Sequence, residues 1–298
     1  MKKIILGLSL IFMTFGTMNA QSILGEDEEN NLSNFYKKTI SSTKQALPYQ
    51  HIRESDVIWE TCIWRTIDFR EKFNQFFYFP LGDDTIQRNQ GRINLSYLTY
   101  RTARDNSECN VFDDDELKVP LEWESVSRKV SKVDTLHNVG EETDDYGDVI
   151  VEGHDSVVAL NFNSDEFYQV RLKEYWYIDK QDTRMKVRIV GMALVRQKCK
   201  GDEENKNCID EEIFWVPMND MAWRNVYARA NAYDMYNNSI ERSYDEIFIS
   251  RYFDSYITRE TNVYNRNIHD YFTGEDALME SNAIEERIFD IESDMWEY

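Results

Sequence analysis

Alternation of apolar and polar residues between positions 168 and 216 is the feature that most constrains the fold. In YQVRLKEYWYI, residues 168–178, the apolar side chains fall mostly on even positions. A second alternating run, residues 184–196, follows the turn sequence DKQDT, and a third, residues 213–216, follows a polar loop. Successive side chains of a strand point to opposite faces of a sheet. The pattern therefore predicts three consecutive antiparallel strands.

The polar loop between the second and third predicted strands is bracketed by two cysteines. Cys199 and Cys208 enclose KGDEENKN. A disulfide between them would close a short hairpin loop and contribute about 2–3 kcal/mol in the chain-entropy model. A zinc site is the alternative, but the sequence has neither a CxxC pair nor a nearby histidine. Pairing of Cys62 with Cys109 stays open, and a role for Cys62 as a small apolar core residue is the alternative.

Helical spacing is found before and after the predicted strands. Trp59, Ile63 and Ile67 recur every four residues after Ser55, a favourable N-cap, and predict a helix there. Residues 92–103 have a weaker helical pattern.

The C-terminal third of the chain also has helical spacing. Ser243 and Glu246 form a capping box that opens a predicted helix reaching through residues 247–257. After Gly274, residues 276–296 carry an apolar stripe typical of an amphipathic helix. The predicted fold class is α+β, with an antiparallel β-meander packed against several amphipathic helices.

Five segments follow from these patterns. Whether the third and fifth form one continuous domain stays open. The segments are a signal peptide at 1–20, an extended arm at 21–48, a helical region at 49–137, an acidic linker or loop at 138–156 and an α+β region at 157–298.

Charge and the N-terminal segment restrict the partners and the compartment. Lys2 and Lys3 precede a short apolar run that ends near Ala20, the layout of a cleaved secretory signal. The run is too short for a permanent membrane span. The full chain has a net charge of −21, with no local basic patch in the sequence. We therefore expect an exported protein that binds no nucleic acid and has no direct membrane span.

Sequence motifs of catalysis are absent. The chain contains no GxSxG, GxxxxGK[ST] or GxGxxG, and its four histidines are scattered without an HExxH pair. We assign no catalytic residue, no cofactor and no metal ligand. Glu174 interrupts the apolar face of its predicted strand, so we expect a side chain with a charged partner or at a β-bulge. The alternative is a carbohydrate-active enzyme that uses Glu174 with a second carboxylate, or a glycan-binding module.

The segment HIRESDVIWETCIWRTIDFREKFN, residues 51–74, is rich in aromatic and basic side chains, which are common anchors at protein interfaces. We expect its apolar stripe to pack against the domain and its other face to meet a partner subunit. The interface candidates are Trp59, Trp64, Arg65, Arg70 and Lys72. The alternative is that Trp64 and Arg65 only cover the domain's own sheet.

Several long stretches together resemble one family, the GldN/PorN proteins of the type IX secretion system and gliding motility apparatus. They are LPYQHIRESDVIWETCIWRTIDFREKFN at 47–74, EYWYIDKQDTRMKVRIVGMA at 174–193, SYDEIFISRYFDSYITRETNVYNR at 243–266 and ALMESNAIEERIFDIESDMWEY at 277–298. Residues 83–165 match less well.

The resemblance implies a non-enzymatic structural subunit in the periplasm. It implies self-association in a ring with an outer-membrane lipoprotein of the GldK/PorK type, which would hold the chain at that membrane. It also implies contact with the periplasmic part of a GldL/GldM-type motor.

If Arg65 faces such a partner, Arg65→Glu should abolish co-purification with that partner and leave the circular dichroism spectrum unchanged. An unfolded variant would support the alternative in which Arg65 covers the sheet.

Overall fold

Eleven strands and six helices make up the described part of the chain. This computed structural model describes residues 44–81, 92–130, 132–139, 142–143, 149–151, 154–160, 162–182, 184–200, 207–234, 237 and 241–295. The strands are β1 (Val57–Asp68), β2 (Val111–Phe112), β3 (Pro120–Leu121), β4 (Lys132–Val139), β5 (Glu142–Thr143), β6 (Val149–Val151), β7 (His154–Leu160), β8 (Phe167–Asp179), β9 (Met185–Lys200), β10 (Asn207–Pro217) and β11 (Tyr256–Glu260). The helices are α1 (Gln75–Tyr78), α2 (Leu95–Asp105), α3 (Trp123–Val130), α4 (Met221–Arg229), α5 (Tyr244–Ser250) and α6 (Glu275–Asp294).

Seven of the strands form one antiparallel sheet, in the order β11-β1-β8-β9-β10-β2-β3. The predicted meander is present as β8, β9 and β10, and helices pack on this sheet. The α+β fold class is therefore confirmed. Strands β1 and β8 pair from Val57 opposite Asp179 to Asp68 opposite Gln169. Residues from both sides of the predicted linker thus contribute to the same sheet.

Strand β1 replaces the first predicted helix, so that prediction was wrong. Trp59, Ile63 and Ile67 are four residues apart, a spacing that fits one face of a helix and also one face of a strand. Eight of the twelve residues of β1 are β-branched or aromatic, which favours a strand. Long-range pairing with β8 and β11 on its two sides satisfies the backbone of β1 and decides between the two structures.

The predicted acidic linker contains paired strands in its described residues. Strand β4 pairs antiparallel with β7, and β5 pairs with β6. The predicted signal peptide and the arm up to residue 43 lie outside the described residues. The described end of the arm lies on α4, where the Ala46 N–H donates to the Asn225 side chain and Arg224 donates to the Leu47 carbonyl.

Three clusters of buried apolar side chains pack on the sheet. The largest joins the sheet to α1 through α5 and includes Ile67 and Leu172. A second, smaller cluster joins β1 and β11 to α6 and includes Ile63, with Trp176 packed against it. The third contains Trp64 and Trp215, with neighbours from β9 and the β2–β3 loop. On β8, Glu174 lies between Leu172 and Trp176, and therefore between the largest cluster and the second one.

Helix ends follow the sequence signals in most cases. Helix α2, predicted at 92–103, begins at an Asn94 cap that accepts from the Tyr97 N–H at 2.7 Å. The Ser243–Glu246 capping box of α5 is present, but α5 ends where Arg251 adopts a left-handed backbone with φ of 52°. The prediction of a helix through 257 was wrong, because the chain turns there and continues as β11. Helix α6 confirms the predicted C-terminal helix.

The structure describes the side chains of two of the four cysteines. Cys62 and Cys109 are buried and free. Burial raises the pKa of both thiols to about 11. In the backbone register of β9 and β10, Cys199 lies directly opposite Cys208. This register is compatible with the predicted disulfide, which stays a prediction.

The predicted disulfide can be tested by counting thiols. The chain has four cysteines. If Cys199 and Cys208 are bridged, the denatured, unreduced protein should titrate as two thiols and the reduced protein as four. The Cys199→Ser variant should titrate as three before reduction, because Cys208 is released. Four thiols in the unreduced wild-type protein would contradict the bridge.

Candidate functional site

A buried carboxylate lies at the centre of the sheet. Glu174 has no exposed surface and follows a register shift between β8 and β9. Its Oε1 accepts from Arg251 Nη1 at 2.8 Å, and its Oε2 accepts from the Trp176 indole N–H at 3.1 Å. Arg65 Nε lies 3.5 Å from Oε2. The expectation that Glu174 has a charged partner is confirmed, whereas the register shift beside it does not turn the side chain outward.

Arg65 links this carboxylate to the C-terminal helix. Its side chain is 5% exposed, and its Nη2 donates to Glu285 Oε1 of α6 at 2.8 Å. The guanidinium also lies 5.6 Å from the centre of the Trp176 ring. Arg65, Glu174, Arg251 and Glu285 thus form a four-residue charge cluster that joins β1, β8, the end of α5 and α6. We call these four residues the central charge cluster.

Trp64 is held by charged groups of its own chain. It is 8% exposed, and its indole N–H donates to Asp115 Oδ2 at 2.9 Å. The Arg259 guanidinium lies 3.5 Å from the centre of the Trp64 ring, and Lys173 Nζ lies 5.3 Å from it. Asp115 also accepts from Arg259, and its carbonyl accepts from Lys173. Cation–π contact and ion pairing therefore fix the Trp64 ring inside the fold.

The five interface candidates from the sequence do not share one surface. Trp64 and Arg65 are buried, as in the alternative that the sequence left open. Trp59 is half-buried and packs against the second apolar cluster. Arg70 and Lys72 are exposed. A partner contact at any of the five stays a prediction, and of the five only Arg70 and Lys72 are exposed.

Arg70 already has a partner in its own chain. It forms an ion pair with Asp68, and its guanidinium lies 4.8 Å from the centre of the Tyr168 ring. Partial burial acts to raise the pKa of Asp68, but hydrogen bonds from Arg70 and Gln169 outweigh it and lower that pKa. Asp68 is therefore held in its charged form beside Arg70. Lys72 has no ion pair within the described residues.

The central charge cluster leaves little room for catalysis by Glu174. Both carboxylate oxygens are occupied by donors, and no part of the residue reaches solvent. A glycosidase carboxylate must reach its substrate. Among the described residues, no group of three or more His, Cys, Asp and Glu side chains could hold a metal ion. Within this part of the chain, the geometry of Glu174 is that of a structural ion pair.

A different surface, near the C-terminus, exposes large apolar side chains. Its members come from the turns after β11 and from the outer side of α6, and we call it the C-terminal surface. They are Val263, Tyr264, Tyr271, Phe272, Leu278, Met279 and Phe289. The sequence reasoning missed this surface. The signal was present in α6, because Leu278, Met279 and Phe289 fall outside the stripe formed by Ala277, Ile284 and Ile288.

Comparison with known families shows which family the chain belongs to. The family described as gliding motility associated protein GldN matches residues 52–297. The chain belongs to the GldN family. No match was found among curated proteins. GldN membership makes the chain a component of the gliding motility and type IX secretion apparatus.

The GldN match begins just before β1 and extends past the end of α6. It therefore includes the whole seven-stranded sheet, the central charge cluster and the C-terminal surface. None of the helices in the described ranges is both long enough and apolar enough to cross a membrane.

Removal of Arg65 tests the role of the central charge cluster. Arg65→Glu places a third carboxylate beside Glu174 and Glu285 and removes their shared cation. Breaking a buried ion pair from one side costs about 3–5 kcal/mol. We expect a loss of at least this size in the free energy of unfolding, measured by urea denaturation with circular dichroism.

The matched control is Lys72→Glu, which makes a cation-to-carboxylate change at an exposed position. We expect its free energy of unfolding to stay within about 0.5 kcal/mol of wild type. If the free energy of unfolding of Arg65→Glu also stays within this range of wild type, Arg65 does not stabilise the fold.

Proposed function

We propose that the chain is a non-enzymatic structural subunit of the type IX secretion system. A signal peptide exports it to the periplasm, where it forms a ring with an outer-membrane lipoprotein of the GldK/PorK type. The ring engages the periplasmic part of a GldL/GldM-type motor and supports protein secretion and gliding motility. The observation that carries this proposal is the GldN match over residues 52–297.

The distribution of side chains supports a structural role. The charged and aromatic residues of β1 that resemble interface anchors in the sequence are satisfied mainly within the chain, at Trp64 and Arg65. Seven of the seventeen exposed large apolar side chains of the described residues belong to the C-terminal surface. Exposed apolar residues grouped on one surface are typical of a protein that binds another protein. An assembly subunit needs an exposed contact surface, and the described chain exposes large apolar side chains on α6 and in the turns before it.

Carbohydrate-active enzyme is the alternative function, and it depends on Glu174. The Arg251 and Trp176 donors occupy that carboxylate. A substrate would have to displace both donors and enter a position with no solvent access. The geometry therefore favours the structural subunit.

Purification from native envelopes tests the proposal. An affinity-tagged copy, expressed from its own locus and extracted in mild detergent, should sediment as a large assembly that contains the lipoprotein. Deletion of the gene should stop release of cargo proteins that carry a C-terminal sorting domain. Re-expression of the wild-type chain should restore release.

Two results would contradict this function. One is normal cargo secretion in the deletion strain. The other is a free periplasmic monomer that hydrolyses a glycan, with activity lost in Glu174→Gln while the circular dichroism spectrum is unchanged.

A further inference from the structure

Helix α6 packs an apolar stripe against the sheet on its inner side. It also exposes large apolar side chains on its outer side. Ala277, Ile284 and Ile288 pack into the second apolar cluster. On the opposite side Leu278 is 54% exposed, Met279 60% and Phe289 67%. Burial of these three large apolar side chains would be favourable, and the folded chain alone does not bury them. Exposed apolar side chains grouped on one side of a helix are typical of a surface that contacts another protein.

The charged residues around these apolar side chains are almost all acidic. Helix α6 contains eight acidic residues and one basic residue, Arg287. Glu285 is paired with Arg65, and Arg287 is paired with Glu260. The other seven acidic residues of the helix have no ion pair within the described residues. They are Glu275, Asp276, Glu280, Glu286, Asp290, Glu292 and Asp294.

The helix dipole makes part of this charge unfavourable. Acidic side chains stabilise the N-terminus of a helix and destabilise its C-terminus. The last turn of α6 contains no basic residue and holds Asp294 and Glu292 instead. Cations supplied from outside would therefore be favoured twice, by the carboxylates and by the partial negative charge of the helix end.

We propose that the outer side of α6 binds a basic, apolar-containing segment of a partner protein. Lysine or arginine side chains of that segment would pair with Glu286, Asp290 and their neighbours. Its apolar side chains would cover Leu278, Met279 and Phe289. The inference rests on the proposed function, and it adds the contact surface and the chemistry of the segment bound there.

Charge complementarity favours a basic partner over other occupants of this surface. A second copy that docked through the same side of its own α6 would bring seven more carboxylates, and like charges brought together at an interface are costly. An anionic lipid surface would also be repelled by these seven carboxylates. A basic polypeptide segment matches both the charge and the exposed apolar area.

Site-specific photo-cross-linking in native envelopes tests the inference. The full-length chain carries p-benzoylphenylalanine in place of Phe289, and a control chain carries it in place of Glu124, an exposed residue of α3. After irradiation, mass spectrometry identifies the trapped peptide. We expect Phe289 to trap a segment of another protein with net positive charge and apolar residues, and we expect Glu124 not to trap that segment.

Charge reversal provides the matched comparison. The double variant Glu286→Lys/Asp290→Lys, combined with the photo-reactive residue at 289, should lower the yield of the cross-link by at least about tenfold. The control Glu108→Lys/Glu124→Lys makes the same charge change at exposed positions away from α6 and should retain the yield. Unchanged circular dichroism spectra would show that both double variants are folded.

Several outcomes would overturn the inference. They are a neutral or acidic trapped peptide, a peptide from a second copy of this chain, a lipid adduct, no adduct, and an equal fall in yield in both double variants. If the chain still sediments with the lipoprotein and supports secretion in such a case, the inference fails and the proposed function stands. If a basic segment is trapped while deletion leaves secretion intact, the proposed function fails and the docking surface stands.

Discussion

Burial of the Glu174 carboxylate in the middle of the sheet is the constraint on which the arrangement of the other elements depends. A charged group without solvent contact is costly unless cations and hydrogen-bond donors surround it. Arg65 supplies one cation from the neighbouring strand, and Arg251 supplies the second from the end of α5. Arg65 also binds Glu285 of α6. The positions of four elements are therefore coupled through one group of charges.

This coupling links two apolar clusters that pack helices on the same side of the sheet. The larger cluster packs the sheet against α1 through α5, and the second packs it against α6. The central charge cluster lies between them and adds the Arg65–Glu285 ion pair to the apolar packing that holds α6. A fixed α6 presents the C-terminal surface in one orientation, as an assembly subunit requires.

Part of this organisation could be predicted from sequence, and the rest depends on contacts that local patterns do not encode. The meander was predictable because alternation over β8 and β9 is long, and α5 and α6 begin at recognisable signals. The partnered state of Glu174 followed from the cost of burying a charge. Strand β1 was missed because a four-residue spacing fits a helix and a strand equally. The identity of its neighbours, β8 and β11, decides the outcome.

The candidate site was harder to predict than the fold. Trp64 and Arg65 have the residue types of an interface, and only their contacts with Asp115 and Glu174 show that they are internal. The exposed apolar residues of α6 could have been recognised from the sequence, because Leu278, Met279 and Phe289 fall outside the predicted apolar stripe. Tryptophan and arginine content therefore indicated the importance of the segment at 51–74 without indicating its role.

A double-mutant cycle between Arg65 and Glu174 tests the central claim most directly. The free energy of unfolding is measured for wild type, Arg65→Met, Glu174→Met and the double variant. If the pair is coupled in the fold, the double variant should be more stable than the sum of the single losses implies, by at least about 1 kcal/mol. Additive losses in the four proteins would contradict the claim that this ion pair organises the structure.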